Sequence, residues 1–160
     1  MATPLHVYLN DHRSGAMMGV ALAHKLRSRF EGTERGPFFT QLATDVEDDL
    51  ETLDTIMASL QVRPNVVKHA SGWIGEKISR VKLNPWFNGS SRLTVMLEIE
   101  LLSLGVQGKL SLWRSLQVIA PVTPGLEEPL LDQLLARAEE HRDGLERERL
   151  IESKAVLPLS

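Results

Sequence analysis

Four ionisable residues stand where apolar side chains are expected: Asp11, Asp49, Glu100 and His141. Each falls on the apolar stripe of a different long segment, at spacings of three and four residues. A bare charge in a core is costly, so such groups must be paired, protonated or bound to a cation. Three carboxylates and an imidazole are hard-to-borderline ligands suited to iron, manganese or zinc. The same groups can instead pair with Lys109, Arg13 or Arg92, or hydrogen-bond to Tyr8 or a tryptophan indole. The sequence therefore supports two chemistries, a metal site and a satisfied polar cluster, and geometry must separate them.

The element expected to dominate is Arg92 to Ala120, apolar almost all round. Its inner stripe reads as Leu93, Leu97, Glu100, Leu104, Gly108, Ser111 or Leu112, Ser115 or Leu116, and Ile119. Pro121 ends it. A first helix over 4–30 is opened by Thr3 as cap and Pro4 as first helical residue, and closed by Gly32. Its stripe is Tyr8, Asp11, Gly15, Met18, Leu22, and Leu26 or Lys25. Gly15 and Gly19 are expected to pack closely against another helix, and Gly105 and Gly108 to admit a close neighbour or leave room for something between helices. A second helix over 37–61 carries Phe39, Leu42, Val46, Asp49, Leu53, Ile56 and Leu60, with Asp45, Glu47, Asp48 and Glu51 more outward. A shorter helix over 65–83 is ringed by Lys68, Lys77, Arg80 and Lys82 and broken at Asn84-Pro85. The last helix, over 127–151, turns Leu131, Leu134, Ala138, His141, Leu145 and Glu148 or Arg149 inward. Residues 152–160 are expected to fray.

The chain has 160 residues, no cysteine and a formal net charge of -3, and 42% of it is hydrophobic but only 5% aromatic. That length suits one helical domain. The mild acidity argues against a nucleic-acid partner, and the absent cysteines exclude disulfides, thiolate metal sites and cysteine catalysis. No apolar run reaches the roughly 20 residues of a membrane span, and no signal peptide is visible, so a cytoplasmic location is expected. No phosphate-binding glycine loop and no nucleophile-elbow serine are present, so no catalytic residue is expected. His12 is expected to be partly exposed, and His6, His24 and His69 to lie at the surface. The Trp73 to Trp86 region, with its basic neighbours, is a candidate face for a partner or a membrane surface.

With its two long helices, long crossover and two further long helices, the chain resembles the ferritin-like superfamily. The tracts YLNDHRSG, GVALAHKL and EIELLSLGVQGKLSLW look like an uncharacterised bacterial branch of it. The resemblance implies an all-α, ferritin-like four-helix bundle with an additional short helix in the crossover between helices 2 and 3. Members with a di-iron site take a carboxylate from each of two helices and a Glu-x-x-His pair from each of the others. On that pattern Asp11, Asp49 and Glu100 match carboxylate positions, and His141 the second half of one pair. Ala138 stands where the pair needs Glu, and Thr52 where the other needs His, so the site is incomplete. The resulting expectation is a non-catalytic bundle with a structural or protein-interaction role. The alternative is an iron- or manganese-binding redox or storage protein. The wide apolar coverage of Arg92–Ala120 and the Met17-Met18 pair leave room for a homodimer, and the 65–90 crossover for a protein partner.

Overall fold

The computed structural model describes residues 3–65 and 91–158. Among these it is helical throughout: α1 (Pro4–Phe30), α2 (Gly36–Ser59), α3 (Arg92–Ile119) and α4 (Glu128–Val156), with a 3-10 turn at Ala120–Val122 after α3. The expected helix over 65–83 and the interaction face of the crossover lie, Asn65 apart, outside the described residues. No helix among the described residues is long and apolar enough to cross a membrane.

The boundaries follow local chemistry. Thr3 accepts a hydrogen bond from the His6 amide at 3.2 Å, with Pro4 behind it, which satisfies one of the donors a helix start leaves open. Ser91 does the same for α3 through the Thr94 amide. Gly32 adopts φ 74°, the left-handed conformation that ends α1. Only three residues separate Gly32 from Gly36, where a Cβ would stand 2.8 Å from the Phe30 carbonyl oxygen. The first hairpin is that tight.

Contacts at the helix ends set the directions. Arg35, before α2, and Arg92, opening α3, both bind Glu152 near the end of α4. At the opposite end Ser59, closing α2, donates to the Gly125 carbonyl before α4 at 3.0 Å, and the Tyr8 hydroxyl of α1 donates to Ser115 of α3 at 3.1 Å. Helices α1 and α2 thus form one antiparallel hairpin and α3 and α4 another, while α2 and α3 run the same way. The chain between α2 and α3 therefore joins opposite ends of the bundle. The 28 residues of α3 rise about 42 Å.

The buried residues fall into two apolar clusters, one toward each end. Leu9, Leu53, Met57, Trp113, Leu116 and Leu131 belong to the first; Leu26, Phe39, Leu42, Ile99, Leu102 and Leu145 to the second. The stripe expected on α2 is buried from Phe39 to Ile56, Asp49 included, and Leu60, just past the helix, is partly buried. On α3 it is not. The residues facing the core are Val95, Ile99, Leu102, Val106, Leu110, Trp113 and Leu116. The expected stripe lies outward over its first half, with Leu93 39% and Leu104 52% exposed, and of the alternatives beyond Gly108 it is Leu112 and Leu116 that are buried while Ser111 and Ser115 are exposed. A helix apolar on nearly every face offers two stripes of similar strength, and packing against α1 and α4 selects between them. Helix α1 is rotated in the same way: it buries Leu9, Ala23, Leu26 and Phe30 and leaves Asp11 exposed.

Two further expectations are corrected. Nothing lies within 4 Å of a Cβ placed on Gly19, Gly105 or Gly108, so these glycines admit no close neighbour from the described chain. The C-terminal segment does not fray at Glu152. Helix α4 runs to Val156, and Glu152 is buried, because two arginines reach its carboxylate.

A charged layer between the two halves of the core

Asp49, Lys109 and His141 occupy equivalent heights on three helices. Along α2 the order is Val46, Asp49, Leu53; along α3, Val106, Lys109, Leu110; along α4, Leu145, His141, Ala138. In each case the first residue belongs to one apolar cluster and the last to the other. The charges form a single layer at the junction.

The hydrogen bonds within this layer are directional. Lys109 Nζ donates to Asp49 Oδ2 at 2.5 Å, and the Arg137 guanidinium donates to Asp49 Oδ1. Lys109 Nζ also lies 3.2 Å from His141 Nδ1, and His141 Nε2 lies 2.9 Å from Asp45 Oδ2. Gln41 donates to the other Asp45 oxygen at 2.8 Å. The Asp45 carboxylate can only accept, which places the imidazole proton on Nε2 and leaves Nδ1 as a lone pair toward the Lys109 ammonium. Arg137, Asp49, Lys109, His141 and Asp45 thereby form one chain in which both histidine nitrogens are used. With His141 neutral, two cations face two carboxylates and the layer is balanced.

Burial pulls the Lys109 pKa below the ordinary lysine value, against the Asp49 carboxylate and with the help of the nearby Arg137 charge. The ammonium form is retained in our assignment because both neighbours, a carboxylate and a lone pair, are acceptors. Burial, then the Lys109 charge, pushes His141 below its ordinary value, with Asp45 and Asp49 opposing. Burial raises Asp45, but hydrogen bonds from His141 and Gln41 and the neighbouring positive charge outweigh it, so its carboxyl titrates below the usual range.

Of the four residues singled out by sequence, the structure brings two together. Asp49 and His141 meet through Lys109. Glu100 lies on the outer side of α3, with its carboxylate 3.7 Å from Arg149 and 39% exposed. Asp11 is exposed on α1 and raises the pKa of His12, which burial lowers further than Asp11 lifts it. The four do not converge on one point. Among the described residues no group of three or more potential ligands could hold a metal ion.

Sequence reasoning missed two members of the layer. Asp45 read as a solvated acid, and Arg137 was not singled out. A signal was present: Asp45 and Asp49 are four apart on α2, as are Arg137 and His141 on α4, so each pair shares a helix face. Arg13 and Arg92, offered as counterions for the inner acids, instead bind Asp54 and Glu152. The acid that α3 buries is Glu98, held by Lys25 and Arg29 of α1. Near the start of α2, Arg35 binds Glu148 and Glu152 while its guanidinium lies 4.2 Å from the Phe30 ring centroid.

An open cleft of about 620 Å³ runs between α2 and α4, lined by Asp48, Glu51, Thr52 and Arg137 among others. Arg137 both lines the cleft and binds Asp49. No family model, curated protein or solved structure matches the chain.

Proposed function

We propose that this protein is a non-catalytic, ferritin-like helical bundle whose charged layer is architectural, and that it acts by binding another protein or a second copy of itself. The observation that carries this reading is the position of Lys109 Nζ, 2.5 Å from Asp49 and 3.2 Å from His141. A lysine ammonium takes the place between carboxylate and imidazole that a metal ion would need. A cation there would have to displace it, and would meet its positive charge and that of Arg137. The ferritin-like part of the proposal is supported by the helix directions: two antiparallel hairpins whose middle helices run in parallel, joined by a connection between opposite ends. The basic and tryptophan-containing crossover at 65–90 is the proposed face for a different protein.

The test is elemental analysis of untagged protein, expressed with iron, manganese and zinc supplied and purified without chelator. The expected result is no metal approaching one per chain, and no change in thermal stability when any of the three is added. A near-stoichiometric metal that disappears in a His141→Ala variant would overturn the reading and make the layer a metal site.

A further inference from the structure

The stripe that the core leaves unused has a regular pattern. Leu93, Leu97, Glu100, Leu104, Gly108, Ser111, Ser115 and Val118 follow one another at three or four residues along α3, so they share one side of the helix. None of them is buried, and Leu104 and Val118 are 52% and 78% exposed. The outward side of a bundle helix normally carries charge. This one holds a single ionisable side chain, Glu100, with Arg114 beside it.

We infer that this outward side of α3 is the docking surface for a second copy of the chain, packed antiparallel about a two-fold axis. The inference rests on the interaction role proposed above and names the partner. Its basis is self-complementarity, which a two-fold contact requires because the same patch serves both partners. Positions 93, 97, 100 and 104 lie as far before the midpoint of residues 105 and 106 as 118, 115, 111 and 108 lie after it, to within one residue. An antiparallel copy therefore sets Leu93 against Val118, Leu97 against Ser115 and Leu104 against Gly108, a large side chain facing a small one in the inner layers. Gly108 lies beside the axis on this same side, and the empty space where its Cβ would be lets the two backbones approach. Charge agrees with this register. Glu100 of each copy comes within an arginine's reach of the other copy's Arg114. Both side chains are solvent-accessible, Glu100 with Arg149 only at 3.7 Å and Arg114 on the exposed Glu139.

The experiment uses the full chain, which has no cysteine to interfere. Sedimentation across a concentration series should show a monomer–dimer equilibrium that Leu104→Glu shifts at least tenfold toward monomer, while its helical circular dichroism stays unchanged and its thermal midpoint matches that of wild type diluted to the monomer. Under oxidation, a mixture of Leu93→Cys and Val118→Cys chains should give a mixed disulfide dimer, and Leu93→Cys alone should not. A wild-type monomer at every concentration would overturn the inference and leave the non-catalytic reading to the metal analysis. Self-linking of Leu93→Cys, or a dimer indifferent to Leu104→Glu, would overturn it in favour of another register or face.

Discussion

Lys109 is the residue on which the charged layer turns, because it satisfies a carboxylate and a histidine at once. Replacing it by methionine keeps the bulk but leaves Asp49 with Arg137 alone and His141 Nδ1 without a donor. Removing one partner of a buried pair is costly, and with 14% of the lysine side chain exposed the expected loss is about 2–4 kcal/mol. Asp49→Leu should cost a similar amount. The double variant should cost clearly less than the sum, since each change removes the reason the other hurts. Urea denaturation of the four proteins measures this, and strict additivity would dissolve the layer as a unit. Acidity acts on the same residues. Folded His141 has its pKa below the ordinary 6.5, so between those values the unfolded chain binds more protons and stability falls as pH drops. Its contribution is complete above pH 6.5 and is lost as pH falls through the folded value. Half-buried His12 is shifted the same way, so His141→Gln should remove one share of the loss between neutral and mildly acidic pH, and His12→Gln the other. Asp45 and Glu152, both lowered below their ordinary 3.8 and 4.5, add a further loss at lower pH. Denaturant midpoints from pH 8 down to about 3 would resolve the two steps.

At the scale of elements, the glycines separate into those that packing needs and those it does not. Gly36 sits at the tight turn into α2, where an added Cβ meets backbone 2.8 Å away. Backbone cannot turn aside as a side chain can, so Gly36→Ala should destabilise by about 1–3 kcal/mol. Gly19 lies inside α1 with nothing within 4 Å of the added atom, and Gly19→Ala should stabilise by up to about 1 kcal/mol through helix propensity alone. Opposite signs for two identical substitutions, read by thermal and urea denaturation, check the packing of the first hairpin. How legible the elements were depended on contrast. Helix α2 alternates apolar and strongly polar residues, so its stripe from Phe39 to Ile56 could be read directly, Asp49 included. Helix α3 lacks that contrast, and its sequence presents the outward stripe as strongly as the buried one. With the outward stripe goes Glu100, which is an acid of the surface, while Glu98, two residues earlier, is the buried one.

For the whole molecule, the decisive contacts join helices far apart in sequence. Arg35 ties the start of α2 to Glu148 and Glu152 of α4, packs over Phe30 of α1, and shares Glu152 with Arg92 of α3. One guanidinium thus links all four helices at one end of the bundle. Arg35→Met should lower stability by roughly 2–4 kcal/mol, since it leaves two largely buried glutamates short of a partner. Hydrogen exchange should quicken both at the start of α2 and in the last turns of α4. Protection lost at α2 alone would show that the junction does not act across the bundle. This junction also explains why the helix continues past Glu152 to Val156: what looks by composition like a tail carries the acid that closes the end of the molecule.

The sequence by itself determined the helices and most of their ends, because caps, prolines, glycines and hydrophobic period act over a few residues. It also determined that Asp49 and His141 face the interior, since each interrupts an otherwise apolar stripe on a helix with a strongly polar opposite side. Only the tertiary structure decided which stripe α3 buries, what neutralises the inward charges, and which acids never come inside. Those outcomes depend on the rotation of one helix against another and on pairs such as Asp49–Arg137 and Asp45–His141. A rotation of a single residue position, about 100°, exchanges a buried acid for an exposed one while leaving the local pattern unchanged.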